Sequence, residues 1–378
     1  MKRLCHVLLC IFLLSGLCAV TVSAVTDDMY RRQLGAAGAE DLPCQLPADL
    51  QELLEQTDTD LLNPDTYTDL SVQQVTDLLT SLLKEQSAGP WAAFRMLLGV
   101  VLVSALLGGL DWGGTTPLRR AYHTAAVVGA GGILLSPLLG LLQTVEQTVE
   151  SVTVFLSAYA PVYGVILAVG GRTTGAVSYQ TTLLGATALL TWLIRLGVFP
   201  LLTVSLALGC TGAVTDGFCL DRLSGGLHKA ILWALGLFSA VFSGLLSLQQ
   251  MVTAAGDSVG VRLARFSLSG FVPVVGNLLS EAYTTVMGCA GLLRSVVGAF
   301  GMVAVVLMIG PPLVACICWN LALHLAGGTA ALFGLTPIER LCSVAGGAVR
   351  VLIALLAVFA LLTVMATAVM SMTMGGVT

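Results

Sequence analysis

From Trp91 onward the chain is a succession of apolar runs, each long enough to cross a bilayer. They lie near residues 91–110, 121–143, 152–170, 181–208, 228–248, 266–293, 296–323 and 344–370. A spanning helix needs about 20 mostly apolar residues, because lipid offers no hydrogen-bond partner to an exposed backbone. The 378 residues are 56% hydrophobic and 10% charged, where a soluble domain carries about 25% charge. Too little polar sequence is present to clothe a water-facing globule. The expected fold is an all-α polytopic membrane protein of 7–8 transmembrane helices. The sixth run leaves the count open. Pro273 and Gly276 interrupt it, and it carries Asn277 and Glu281. As a re-entrant or interfacial segment it would leave seven spans.

The apolar region is internally duplicated. Ser157 to Leu167 reads SAYAPVYGVIL, and Ser269 to Leu279 reads SGFVPVVGNLL. Pro161 and Pro273 are 112 residues apart (273 − 161), as are Pro200 and Pro312 (312 − 200). Upstream, Leu138, Leu139, Gln143 and Val145 match Leu245, Leu246, Gln250 and Val252 at an offset of 107 (245 − 138). A five-residue insertion (112 − 107) reconciles the two offsets. The copies cover about 121–208 and 228–323. With three spans in each, the second copy must be inverted in the membrane.

The N-terminus has the parts of a cleavable secretory signal over residues 1–24. Lys2 and Arg3 precede the apolar run Leu4–Val20, and Val22-Ser23-Ala24 has the small-residue pattern of a cleavage site. An uncleaved first span is the alternative. Residues 25–90 hold 13 of the 21 acids and three bases, a net charge near −10 (3 − 13). Two leucine sets at helical spacing, Leu46–Leu54 and Leu70–Leu83, flank the turn signal Asn63-Pro64-Asp65. This is the expected acidic, extracytoplasmic helical region, ahead of a transmembrane domain over 91–378. With the mature start outside, Arg119, Arg120, Arg172, Arg262, Arg265 and Arg340 fall inside, while Arg222, Lys229 and Arg294 fall outside. That bias agrees with the positive-inside rule.

No catalytic constellation is present. His6, His123, His228 and His324 stand at no useful spacing from a nucleophile or carboxylate, and no phosphate-binding loop occurs. The chain reads as a non-enzyme without a cofactor. The cysteines match no zinc spacing: Cys316 and Cys318 would lie about 200° apart on a helix. A Cys210–Cys219 disulfide would fit an extracytoplasmic loop. Glycine pairs such as 170–171, 327–328 and 346–347, with Gly236 and Gly244, permit close helix approach.

Proline and buried charge are the functional signals. Pro161, Pro200, Pro273 and Pro312 each remove a helix hydrogen bond. With Gly164 and Gly276 they form a candidate gate or hinge set. Packing kinks are the competing reading. Arg195, Asn277, Glu281 and Arg350 are the candidate intramembrane polar residues, with Asn320 and His324 beside them. A charge at mid-bilayer costs at least about 2.5 kcal/mol, so it should face the bundle interior or water. Glu281 is a candidate partner for Arg195. Arg350 is close enough to the start of the last run to snorkel toward an interface.

The run QQMVTAAGDSVGVRLARFSLSGFVPVVGNLLSEAYTTV, from Gln249 to Val286, resembles the signature region of the stage III sporulation protein AE family. The segment at Pro161-Val162 and the GRTTGAV loop from Gly171 to Val177 extend the resemblance. So does the order of signal, polar region and polytopic domain. The resemblance implies a multi-pass protein in the mother-cell membrane around the forespore, inserted from the cytoplasmic membrane. It implies partners: the other membrane proteins of the stage III sporulation A operon, their ATPase, and a forespore channel protein. Besides these the lipid bilayer is expected, and no nucleic acid. The implied function is a core membrane component of a secretion-like channel complex that supports late forespore gene expression. A scaffold that anchors ring-forming partners without passing cargo, and a stand-alone small-molecule transporter, are the alternatives.

Overall fold

Eleven consecutive residues of one helix, Gln143 to Thr153, read QTVEQTVESVT. They contain no proline or glycine, and nothing in them stops a helix. They lie inside a single helix of 54 residues, Thr116–Val169. The computed structural model describes residues 27–48, 50–52, 61–63, 72–109, 116–171, 173–214, 220–271 and 276–372. Every long element in it is helical, and no strand occurs among the described residues.

The elements run in chain order. Helix α1 (Asp27–Ala36) is followed by 3-10 turns at Ala39–Asp41 and Pro43–Gln45. Then come α2 (Val72–Gly109), α3 (Thr116–Val169) and α4 (Thr173–Leu193). A π-helical turn, Ile194–Val198, leads into α5 (Phe199–Val214). The long helices α6 (Leu220–Phe271), α7 (Gly276–Leu332) and α8 (Thr336–Met372) complete the bundle. Gly171 and Gly334, at φ of 77° and 70°, make the tight turns after α3 and α7.

Six helical stretches are long and apolar enough to cross a membrane: Gln86–Leu106, Thr124–Val169, Thr173–Ala213, Leu223–Gln249, Gly288–Leu332 and Thr336–Ala368. The expected spans 121–143 and 152–170 are thus one helix. The polar segment between them is built of helix-compatible residues, so a change in polarity came without a break. The sixth expected span is described only in part. Its residues divide between the end of α6 and the start of α7, and Pro273 lies outside the described residues.

Each repeat copy contributes two long helices, α3 with α4–α5 and α6 with α7, where three spans were expected. Parity therefore no longer forces inversion. Of the two proline motifs, Pro161 sits inside α3, and Pro273 lies outside the described residues.

The signal segment 1–24 lies outside the described residues, which begin at 27, as do most of 53–71. The second leucine set of the acidic region lies largely within α2. That helix runs through Pro90 into the first apolar stretch. In the N-terminal part, the Tyr30 hydroxyl donates to the Leu62 carbonyl at 2.8 Å. Tyr30, Leu34, Leu42 and Leu61 are buried around it, and α1 packs on α7.

The core is a bundle in which α7 and α8 form the most extensive pair. An aromatic column runs through it. Phe155, Tyr159 and Tyr163 stack along α3 with ring centroids 5.7 and 5.4 Å apart. Tyr179 of α4 meets Tyr163 edge-on at 5.2 Å, and Phe300 of α7 lies 6.1 Å from Phe155. The Tyr159 hydroxyl donates to the Val297 carbonyl at 3.1 Å.

Candidate functional site

Helix α3 turns back at Gly170-Gly171 and α4 returns antiparallel. That register brings Thr153 Oγ1 to 2.9 Å from Thr191 Oγ1. One helical turn further, Arg195 Nη2 reaches Glu150 Oε2 at 2.7 Å. Arg195 therefore pairs with Glu150; the side chain of Glu281, its candidate partner, lies outside the described residues. Arg195 does not face the bundle interior: the two paired side chains are 48% and 56% exposed.

Arg195 occupies the π turn, where the Phe199 amide donates to the Ile194 carbonyl five residues back. Pro200 follows directly. Its ring lacks an N–H and crowds the carbonyl four residues earlier, and a widened turn relieves that crowding. Here the chain adapts by a π bulge and stays helical. Pro161 and Pro312 likewise lie within continuous helices, in α3 and α7. Gly164 is buried against α4, and a Cβ there would sit 3.4 Å from Gln180 Oε1.

A second polar group gathers where α5, α6, α7 and α8 meet. His228 Nε2 lies 2.6 Å from Ser205 Oγ, both buried. Gly347 makes room for this imidazole, because a Cβ at 347 would overlap its ring. The neighbouring Gly346 faces Asn320 of α7. The Asn320 Oδ1 is buried and has no hydrogen-bond partner among the described residues. Arg350, one turn along α8, donates from Nε to the Gly346 carbonyl at 3.2 Å. Beside it a cleft of about 280 Å³ opens between α7 and α8, lined by His324, Glu339, Cys342, Ser343 and Arg350.

The structure thus draws Arg350, Asn320 and His324 together and leaves Arg195 elsewhere. Asn277 and Glu281 lie in the first turns of α7, where only the backbone is described. Gly276 begins that helix. Sequence reasoning missed Ser205 and His228, which are 23 residues apart (228 − 205) on different helices. The recurring Gly346-Gly347 pair was the signal, since a glycine pair permits a bulky neighbour. Gly236 and Gly244 have open space around them, so the close approach expected there is absent.

Among the described residues no group of three metal-ligating side chains occurs. Cys210 is a free thiol, and Cys219 lies outside the described residues.

These features define an all-helical membrane protein whose interior carries a small polar cluster and a cleft. The family model for stage III sporulation protein AE matches residues 65–374, and the chain belongs to that family. Stage III sporulation protein AE of Bacillus subtilis (strain 168) is 25% identical over 216 residues. The match spans 57% of this chain and 54% of that relative, about half of its length. No solved structure matches.

Proposed function

We propose that this chain is the core membrane component of a secretion-like channel complex between mother cell and forespore, supporting late forespore gene expression. The carrying observation is the polar cluster of Ser205, His228, Asn320 and Arg350 with its cleft, set inside an otherwise apolar bundle. Ser205 and His228 are buried, and Asn320 Oδ1 is buried without a partner among the described residues; such groups are costly to bury in an apolar bundle and are kept where they serve a path or a binding site. Family membership supplies the sporulation role. The proposed location is the mother-cell membrane around the forespore. The proposed partners are the other stage III sporulation A-operon membrane proteins, their ATPase and a forespore channel protein.

In this reading the proline positions Pro161, Pro200, Pro273 and Pro312, with Gly164 and Gly276, let the helices shift as a gate. Asn277, Glu281, Arg195 and Arg350 line or bound the path. A scaffold reading draws on a different observation: the acidic N-terminal part folds on itself through Tyr30 and Leu62 and docks on α7. There it would present a surface to ring-forming partners.

The test is the double variant Pro161→Ala with Pro273→Ala, scored in one strain for spore yield and for co-purification of the complex. Retained assembly with lost spores supports gating. Normal spore yield removes the gate. Loss of assembly together with spores favours the scaffold.

A further inference from the structure

The apolar stretches of α3 and α7, at 46 and 45 residues, would each extend close to 70 Å, or about 1.5 Å per residue. The hydrocarbon of a bilayer is about 30 Å thick. Only part of the bundle can lie in lipid. The contacts between helices show which part.

The helices are pinned in register by named pairs. Glu150–Arg195 and Thr153–Thr191 fix α3 against α4. Tyr159 on Val297 fixes α3 against α7, and Ser205–His228 fixes α5 against α6. His228 against Gly347 and Asn320 against Gly346 bring α8 and α7 to that same level. Ser205 is ten residues beyond Arg195 (205 − 195), or about 15 Å further toward the Gly334 turn.

Between the Glu150–Arg195 pair and the Gly171 turn, no exposed charge occurs among the described residues of α3, α4, α6 and α8. On the Gly334 side, Lys229, Glu339, Arg340 and Arg350 are exposed, and the polar cleft opens there. On the other side, residues 151–171 of α3 and its turn contain no acid or base. The same holds for 173–194 of α4, 230–256 of α6 and 351–372 of α8. Arg294 of α7 lies in that half but is buried. The uncharged length from Glu150 to Arg172 is 21 residues (171 − 150), or about 31 Å of helix, which matches the hydrocarbon. Two exposed tryptophans flank the boundary. Trp192 is 59% exposed and lies one turn from Arg195, and Trp233 is 71% exposed and lies one turn past Lys229. Tryptophan is enriched at membrane–water interfaces.

We propose that the bilayer surrounds only the half of the bundle from Ser151 toward the Gly171 turn. Glu150–Arg195, Trp192 and Trp233 then mark its boundary, and the Gly334 half projects beyond the lipid. The Arg350 cleft opens in that projecting half, on the aqueous side. This seating rests on the reading of the chain as a membrane protein and adds the depth at which it sits.

The test uses four single-cysteine variants on α3, at Val128, Leu139, Val154 and Val165, in an otherwise cysteine-free full chain. All four side chains are exposed in the bundle. Each variant is spin-labelled in phosphatidylcholine–phosphatidylglycerol vesicles, and relaxation by oxygen is compared with relaxation by a water-soluble nickel chelate. The expected result is oxygen-dominated relaxation at 154 and 165, with neither 128 nor 139 dominated by oxygen. Oxygen dominance at 128 and 139 overturns the seating. Extraction of the chain from the vesicles by carbonate overturns the membrane reading itself and is scored separately. Arginine replacements give a second readout. Val165→Arg should lower the membrane-inserted fraction several-fold, and Leu139→Arg should not. Equal losses would overturn the proposal.

Discussion

Gly301 of α7 lies against the ring of Tyr159 on α3, so closely that a Cβ at 301 would overlap the phenol. One turn away, Gly298 faces the Tyr163 hydroxyl, where a Cβ would sit 3.0 Å from the oxygen. These two glycines form the sockets that admit the aromatic column of α3 into α7. Both tyrosines are fully buried, so neither ring can swing clear.

Gly301→Ala should therefore destabilise the bundle by about 1–3 kcal/mol, the usual cost of overpacking. Gly298→Ala should cost less. Gly310→Ala has open space around it and should be neutral or gain up to about 1 kcal/mol in helix propensity. Thermal unfolding of the three variants in one detergent checks the order. Equal stability of Gly301→Ala and Gly310→Ala would contradict the socket.

Ser205 and His228 should be energetically coupled. A double-mutant cycle of Ser205→Ala and His228→Ala is expected to return about 0.5–1.5 kcal/mol, the net worth of a buried hydrogen bond. Gly347→Ala should displace the imidazole and abolish that coupling. Additive single effects in the parent background would show the 2.6 Å contact to be energetically idle.

The Glu150–Arg195 pair is expected to behave as an exposed bridge, with a coupling below about 1 kcal/mol. The exchange Glu150→Arg with Arg195→Glu should restore what either single change loses. Unfolding measurements on the four proteins test this. A swap that performs worse than both singles would contradict the pairing.

Thiol accessibility follows the packing. Cys44 is exposed, whereas Cys316 and Cys342 are buried. In single-cysteine versions of the folded protein, a water-soluble maleimide should label Cys44 rapidly. It should label Cys316 and Cys342 only after denaturation. Fast native labelling at Cys316 would mean that α7 and α8 are not packed as described.

Much of the fold was legible in residue pattern. Charge scarcity and apolar length pointed to a helical membrane bundle, and the 249–286 run pointed to its family. The length of the helices was not legible. A polarity change at Gln143–Glu150 reads as a loop, yet glutamine, glutamate, valine and threonine carry a helix through it without a breaker. At Pro200 a π turn accommodates the proline within the helix, a local adjustment that the residue pattern does not announce. The polar site was half visible. Arg350, Asn320 and His324 stood out as polar residues in apolar runs. Arg195 stood out too, but its partner depends on the register set by the Gly170-Gly171 turn. The Ser205–His228 contact joins different helices, and no local spacing announces it.

The central claim is that the chain acts in passage between the two compartments after the complex has formed. The most direct measurement is inducible proteolysis of this chain once engulfment is complete, with a late-forespore transcription reporter followed in the same cells. The account predicts that reporter activity falls as the chain disappears, while the other complex members remain in place. Undiminished reporter activity after the chain is gone would contradict it.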